Sequence, residues 1–404
     1  MRFLTLVFAA LAGASVPLWG AEAPPLTLEA ALRTALEAHP ELAAAAHDVA
    51  AAQAAVRGAG ALPSPEVVVA PLGRVEDAQL SVTQPLALNG ERAAGVRAAR
   101  ARLEASEWER RALRNEVVFR VRVAFYEVLA AQEERDAVAE TVGILEQIHQ
   151  AAQQSFALGN APQTHVVRTR LEWTRAQQEL QRAEGEVAAR RAALNTAMGR
   201  PAETPVRPQG ELPRPEGEPD AARLRETALQ QRPDLAAAEA DVRAREALVG
   251  LARAERRPDL LLSAERESLT EGGGSLGVGI TLPFLDWGRR RAAVREATAA
   301  VDASRARLAQ RRNTVALEVE QALVRLRTAA STLRSFEESL LADAGQLAEM
   351  TRTGYQEGAL SYLEVLDAQR ALTETRRGAI QARAAYASAR AALDWAVAAP
   401  LAEK

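Results

Sequence analysis

Two short segments of the chain alternate apolar residues with small or polar ones at a period of two, which is typical of strands with one apolar face. The apolar face of the clearer segment consists of Leu276, Val278, Ile280, Leu282 and Phe284. A weaker alternation covers residues 79–86. Each segment follows a candidate strand and a turn, so we predict β-hairpins at about 66–86 and about 259–284.

Much longer segments carry a helical pattern. We predict long helices at about 89–156 and about 287–355, with return helices at about 163–198 and about 361–397. A helix of roughly 68 residues is about 100 Å long. Apolar residues in the second long helix alternate spacings of four and three, at Val315, Val319, Ala322, Leu326, Ala329, Leu333, Phe336 and Leu340. This seam favours a left-handed coiled coil, with the buried face of a simple bundle as the alternative.

The chain also contains the same unit twice. The segment HPELAAA at 39–45 returns as RPDLAAA at 232–238. Gly90 returns as Gly288, about 198 residues on, and Gly159 returns as Gly358, about 199 residues on. Repeats in the same order at nearly one offset predict two similar halves. We divide the chain into a signal peptide (1–21), a first repeat (22–198), a proline-rich linker (199–219) and a second repeat (220–404).

The N-terminal residues have the pattern of a secretory signal, with Arg2, an apolar run and small residues near Gly20 and Ala21. A membrane anchor is the competing interpretation. No other stretch approaches the roughly 18 apolar residues that a spanning helix needs. We therefore expect an exported protein whose membrane crossing, where there is one, uses strands.

Composition and motifs argue against several function classes. The net charge is −3, whereas nucleic-acid-binding proteins are typically basic, so the charge does not indicate nucleic-acid binding. The chain has no cysteine, and its four histidines lack ligand spacing, so we predict neither a disulfide nor a metal site. No phosphate-binding loop, nucleophile elbow or metalloprotease helix is present. We expect no enzyme activity and no cofactor.

The alternation in the two hairpins has two interpretations. One is a half-buried strand of a soluble sheet, but two isolated hairpins would be only marginally stable in water. In a membrane, the apolar side would face lipid and Trp287 would lie at the interface. Four strands cannot close a barrel, since the smallest barrels have about eight. Three copies would supply about twelve strands, continued by a long helical cylinder.

This order of elements resembles the TolC-like outer-membrane factors of tripartite efflux and type I secretion systems. The resemblance covers nearly all of the mature chain. Residues 84–92, QPLALNGER, resemble the strand-to-helix motif of the heavy-metal (cobalt–zinc–cadmium) branch. Residues 355–368, YQEGALSYLEVLDA, resemble the helix–turn–helix tip that closes the periplasmic end. The implied fold is mainly α, with a coiled-coil α-barrel and a 12-stranded trimeric transmembrane β-barrel.

The resemblance also implies roles for residues at the tip. Glu364 and Asp367 would form a carboxylate ring at the pore constriction, whereas a solvated first helical turn is the competing interpretation. Tyr355 would latch the tip, with His165 and Leu360 standing where TolC has Asp and Arg. Gly159 and Gly358 would end the long helices at turns that adaptors contact.

The resemblance further implies a homotrimer in outer-membrane lipid, extending into the periplasm. Its partners would be a periplasmic adaptor (membrane fusion protein) and an inner-membrane resistance-nodulation-division transporter. The implied cargo is heavy-metal cations, carried along a passive export duct. The alternatives are a duct for drug efflux or type I protein secretion, and a periplasmic coiled-coil scaffold or adaptor without a pore.

Overall fold

The computed structural model describes residues 25–70, 79–215, 217, 219–266, 273–283, 286–357 and 359–398. The predicted signal peptide (1–21), Phe284 and Gly358 lie outside these residues. Within them, the same run of elements occurs twice, which confirms the duplication.

The first run and the linker contain β1 (Pro25–Leu26), α1 (Leu28–Ala38), α2 (Pro40–Gly60), β2 (Glu66–Ala70), β3 (Gln79–Pro85), α3 (Glu91–Ala157), α4 (Gln163–Ala197) and β4 (Arg207–Pro208). The second run contains α5 (Ala221–Gln231), α6 (Pro233–Ala254), β5 (Leu260–Arg266), β6 (Gly274–Ile280), α7 (Arg289–Ser335), a π-helical turn (Phe336–Leu340), α8 (Leu341–Gln356) and α9 (Tyr362–Val397). Short helix pairs, a hairpin and a long antiparallel helix pair therefore recur in order.

Local signals explain where the short helices begin. The Thr27 side chain accepts a hydrogen bond from the backbone N–H of Ala30 and caps α1. Asp220 caps α5 in the same way. Pro40 and Pro233 occupy the first turns of α2 and α6. Backbone N–H groups in a first turn have no partner within the helix, so proline is tolerated there.

The proline-rich linker packs against the helices. Its strand β4 pairs in parallel with β1. Val206 and Leu212 are buried in the core of the first repeat, together with Phe125 and Val128 of α3. Burial of these apolar side chains fixes the path of the linker.

The core of the second repeat follows most of the predicted seam. Val315, Val319 and Leu333 of α7 are almost fully buried against α9. The predicted seam is wrong at its end, because Leu340 is 44% exposed. The physical reason is the π-helical turn, which rotates the following residues out of the 3.5-residue register.

The same turn corrects the prediction of one continuous helix at about 287–355. Leu341 donates its backbone N–H to the carbonyl of Phe336, five residues back. The matching part of the first repeat is continuous α-helix within α3. Because Gly90 and Gly288 are 198 residues apart but Gly159 and Gly358 are 199 apart, the second long segment carries one extra residue. The π-helical turn accommodates it.

The two hairpins form one antiparallel sheet with strand order β2-β3-β5-β6. The central pairing joins the repeats, with Val82 opposite Ala264 and Gln84 opposite Leu262. The last strand ends at Ile280, earlier than the predicted 284. Pro283, which has no N–H to donate to a ladder, follows shortly after.

Candidate functional site: the apolar sheet face and the distal helical turns

The sheet exposes an apolar face to its surroundings. Leu276 and Val278 of β6 are 85% and 76% exposed, and Ile280 is exposed on the same side. Leu282, beyond the end of the strand, is exposed as well. Side chains of this size are normally buried in a water-soluble sheet, so this face requires an apolar environment.

The apolar face continues across all four strands, because residues directly opposite each other in a ladder point to the same side. Ala264 pairs with Leu276, Leu262 with Val278 and Leu260 with Ile280. The pairing of β3 with its two neighbours extends the face through Val67, Val69, Leu80 and Val82. The other side of the sheet carries mainly small and polar residues, among them Ser81, Thr83, Ser263, Glu265, Ser275, Gly277 and Gly279.

One of the small residues on the second side of the sheet, Gly277, lies close to a side chain of the neighbouring strand. A Cβ atom added to Gly277 would lie 2.6 Å from the Ser263 hydroxyl oxygen. A side chain at this position would therefore require the Ser263 hydroxyl to move.

The turns from sheet to helix use left-handed glycines. Gly90 has φ +86° and Gly288 has φ +95°, a region that glycine adopts without steric cost. Asp286 accepts hydrogen bonds from the backbone N–H groups of Gly288 and Arg290, which satisfies free donors at the start of α7. The neighbouring Trp287 is fully exposed.

At the opposite end of the long helices, Gly159 ends α3 with φ +74°. Its N–H donates to the Phe156 carbonyl, and the N–H of Asn160 donates to that of Ser155. This is the hydrogen-bond pattern of a glycine-terminated helix. In the second repeat, the N–H of Ala359 donates to the Gly354 carbonyl in the equivalent position.

Glu364 forms part of a capping box at the start of α9. Its carboxylate accepts hydrogen bonds from the Ser361 backbone N–H at 2.6 Å and from the Ser361 hydroxyl at 2.9 Å. These bonds favour the ionised form and lower the pKa of Glu364. Glu364 is therefore a fully exposed carboxylate that also stabilises the helix start.

Asp367 lies one turn further along α9, and its side chain is 74% exposed. Its nearest charged neighbour is Arg370, with 3.5 Å between Oδ1 and Nη1. Arg370 also reaches across to Glu172 of α4, with 2.6 Å between Nη2 and Oε1. The two acids named from the sequence thus lie one turn apart on an exposed face of α9, with a single arginine beside them among the described residues.

Tyr355 and His165 both contact Tyr362. The Tyr355 and Tyr362 ring centroids are 6.3 Å apart, and the His165 and Tyr362 centroids are 6.0 Å apart. Tyr362 is only 4% exposed, and its hydroxyl has no hydrogen-bond partner among the described residues. Burial, with a smaller contribution from Glu172, raises the pKa of Tyr362 to about 12.

Sequence reasoning assigned no role to Tyr362 or to the buried residues beside it. His149 hydrogen-bonds Thr169 through Nδ1, with 2.8 Å between the atoms, and stacks on Trp173. Tyr362, Leu366, Leu145 and Ala176 form the small core of the distal end, against which Trp173 packs. The sequence did contain a signal for Tyr362, because this aromatic residue directly follows the capping Ser361 within the tip motif.

The structure gives two further findings. In the described parts of the chain, no group of three His, Cys, Asp or Glu side chains is placed to hold a metal ion. None of the helices described is both long enough and apolar enough to cross a membrane.

An exposed apolar sheet joined to very long helix pairs defines an elongated membrane-associated protein. A family model described as "Outer membrane efflux protein" matches residues 31–200 and 224–399. The chain belongs to the outer membrane efflux protein family. Members of this family are channels rather than enzymes. The protein is located in the outer membrane and extends into the periplasm.

Individual relatives agree with the family. The chain is 31% identical to the cobalt-zinc-cadmium resistance protein CzcC of Cupriavidus metallidurans over 371 residues, covering 89% of this chain and 87% of CzcC. It is 29% identical to the probable outer membrane lipoprotein SilC of Salmonella typhimurium, covering 68% of this chain and 61% of SilC. The outer membrane protein VceC of Vibrio cholerae has the same fold, with a TM-score of 0.76 at 21% identity over 92% of this chain and 95% of VceC.

Proposed function

We propose that three copies of this chain form the outer-membrane channel of a tripartite efflux system that exports heavy-metal cations. The observation that carries the proposal is the four-stranded sheet with an exposed apolar face. A periplasmic adaptor and an inner-membrane resistance-nodulation-division transporter would supply the contacts and the energy that a passive duct lacks.

Assembly follows from the edges of the sheet. Among the described residues, β2 and β6 each pair on one side only. An unpaired strand edge in lipid leaves backbone groups without hydrogen bonds at a cost of several kcal/mol each. Pairing β6 of one copy with β2 of the next removes both edges. Three copies give about twelve strands, which lies within the range of known barrels.

The distal helices present a second surface that a neighbouring copy can cover. Val167 and Leu171 of α4 are exposed four residues apart, and Leu347 and Met350 of α8 are exposed three residues apart. Such spacings place each pair on one helix face. Contact between α4 of one copy and α8 of the next would bury both pairs.

The proposed constriction contains Glu364 and Asp367. Three copies would bring about six carboxylates to the distal mouth, an arrangement typical of cation-selective pores. The exposure of both side chains supports this role. The aromatic contacts of Tyr355 and His165 with Tyr362 would hold the closed end together, and the turns at Gly159 and Gly358 would contact the adaptor.

Conductance in planar bilayers, with a trivalent cation added on the periplasmic side, tests the constriction. The double variant Glu364→Gln, Asp367→Asn removes both charges, while the glutamine carbonyl still accepts a hydrogen bond from Ser361. We expect it to lose most of the trivalent block and part of the cation preference. Ser361→Ala removes the hydroxyl of the cap but keeps the charges, so it should retain the block. An unchanged block in the double variant would show that these acids serve only as a solvated helix start.

The proposed cargo rests on the similarity to the cobalt-zinc-cadmium resistance protein CzcC, and it can be tested in cells. Deleting the gene should lower tolerance to cobalt, zinc or cadmium, and the intact chain should restore it. Altered drug susceptibility with normal metal tolerance would favour the drug-efflux alternative. The exposed apolar sheet argues against a periplasmic scaffold, because in the aqueous periplasm this apolar face would be exposed to water.

A further inference from the structure

The two long helix pairs differ at one level. The π-helical turn Phe336–Leu340 interrupts the second pair, whereas the first pair is continuous there. None of the five residues in the turn is buried. A π-helical turn weakens the regular i→i+4 ladder, and sharp bends of helices commonly occur at such turns.

The partner helix has its own weak point opposite the turn. Gly378 is the single glycine of α9. A Cβ atom at Gly378 would lie 2.7 Å from Cζ and 2.8 Å from Cε1 of Phe336, so the ring packs directly on the α9 backbone. Glycine inside a helix is destabilising relative to alanine because the unfolded chain is more flexible. Both helices of the second pair are therefore weakened at the same height.

The two buried clusters of the long helices do not join at this height, although Ala379 and Ile380 beside Gly378 are buried. On one side, the fully buried part of the second repeat's core ends at Leu333 and Ala382, with Phe336 packed against it. On the other side, the distal core begins at Tyr362 and Leu366. A groove of about 940 Å³ lies between them and is lined by both Phe336 and Gly378. Buried side chains of α8 in the described part are small, Ala344 and Thr351, whereas α7 buries nine residues.

Charge pairs hold α9 to the first helix pair around this groove. Arg370 contacts Glu172 at 2.6 Å, and Arg376 contacts Glu140 at 3.0 Å. Arg377 contacts Glu134 and, at 2.7 Å, Glu179. All three cations are on α9 and all four acids are on α3 or α4. Half-exposed pairs of this kind each contribute little to stability, and their partners can be replaced by water.

We infer that Phe336 and Gly378 form a hinge, on which α8 and the first part of α9 bend relative to α7 while the first helix pair stays rigid. The extra residue of the second repeat provides the hinge, and the arginine–glutamate pairs hold it in the observed position. The hinge goes beyond the proposed function and concerns the backbone alone, so it holds whatever the channel carries.

Hydrogen–deuterium exchange of the full-length protein in detergent tests the hinge. Amides of residues 337–345 should exchange about ten-fold faster than those of residues 139–146, their counterparts in α3. Residues 346–356 should be as protected as residues 147–157, because a hinge is local. Equal exchange at the two levels would overturn the inference. Fast exchange along all of α8 would also overturn it, since that segment would unfold rather than bend.

Two variants isolate the extra residue. Deleting Glu338, which is exposed, should restore a continuous helix and bring exchange at this level to within about two-fold of α3. Inserting one alanine between Val138 and Ala139 should create a π-helical turn in α3 and raise exchange there. Persistent fast exchange in the deletion variant, or no change on insertion, would contradict the hinge. The insertion also decides the matter if the deletion variant fails to fold.

Discussion

The carboxylate of Asp259 accepts a hydrogen bond of 2.7 Å from the backbone N–H of Leu88, 171 residues earlier in the chain. Its other oxygen accepts one of 3.0 Å from the N–H of Ala87. A side chain directly before β5 therefore closes the turn that follows β3. This contact ties the two repeats together where the sheet meets the helices.

Replacing Asp259 should loosen this junction. Asp259→Ala leaves two N–H groups without their partner and should destabilise the protein by about 1–2 kcal/mol. Asp259→Asn keeps one acceptor oxygen and should cost less. The temperature at which purified oligomers dissociate on gels measures the effect. Equal dissociation temperatures for Asp259→Ala and the unaltered protein would show that water replaces the carboxylate without cost.

The two faces of the sheet should differ sharply in their tolerance of charge. Val278→Arg places a cation on the apolar face and should cost about 2–4 kcal/mol in a bilayer. Ser275→Arg lies on the same strand but on the opposite face, so it is the matched control and should be milder. The measurement is the amount of heat-resistant oligomer in outer-membrane fractions. Similar losses for both variants would mean that the apolar face does not contact lipid.

The linker contains a glycine that should not tolerate a side chain. Gly199 has φ +73°, and a Cβ atom there would lie 2.7 Å from Cδ of Pro40 and 2.9 Å from Cα of His39. Gly199→Ala should therefore destabilise by about 2–3 kcal/mol. Gly185→Ala, inside α4 with open space around it, should instead stabilise by about 0.5–1 kcal/mol. Thermal unfolding followed by circular dichroism compares the two.

Tyr362 should make the distal end sensitive to alkali. Its pKa is raised from 10.0 to about 12, so the folded state keeps the phenol proton that the unfolded chain loses. The stabilisation is therefore complete below pH 10 and falls as the pH rises from 10 to 12, by on the order of 1–2 kcal/mol. Tyr362→Phe should remove this part of the pH dependence.

At neutral pH the same substitution should cost little. The Tyr362 hydroxyl is buried without a partner, so removing it should be neutral or slightly stabilising. The difference in unfolding temperature between Tyr362→Phe and the unaltered protein, followed from pH 7 to pH 12, gives both results. A clear loss of stability at pH 7 would show that the hydroxyl has a partner in the assembled protein.

Patterns that repeat over short distances were readable from the sequence. The alternation at Leu276, Val278 and Ile280 predicted which side of β6 is apolar, because successive side chains of a strand point to opposite faces. The spacing of four and three predicted the buried seam from Val315 to Leu333, because side chains three or four apart share a helix face. The change in the repeat offset from 198 to 199 showed that the second long segment has one extra residue, but it did not show where the helix accommodates that residue.

Contacts between distant residues were decided only by the tertiary structure. No local pattern states that β3 pairs with β5, or that Asp259 reaches Leu88. The central place of Tyr362 between Tyr355 and His165 depends on how helices from both repeats meet, and the packing of Phe336 on Gly378 depends on how two helices of the second repeat meet. Periodicity is a property of one segment, whereas these relationships require the relative position of two segments, which packing of the whole chain determines.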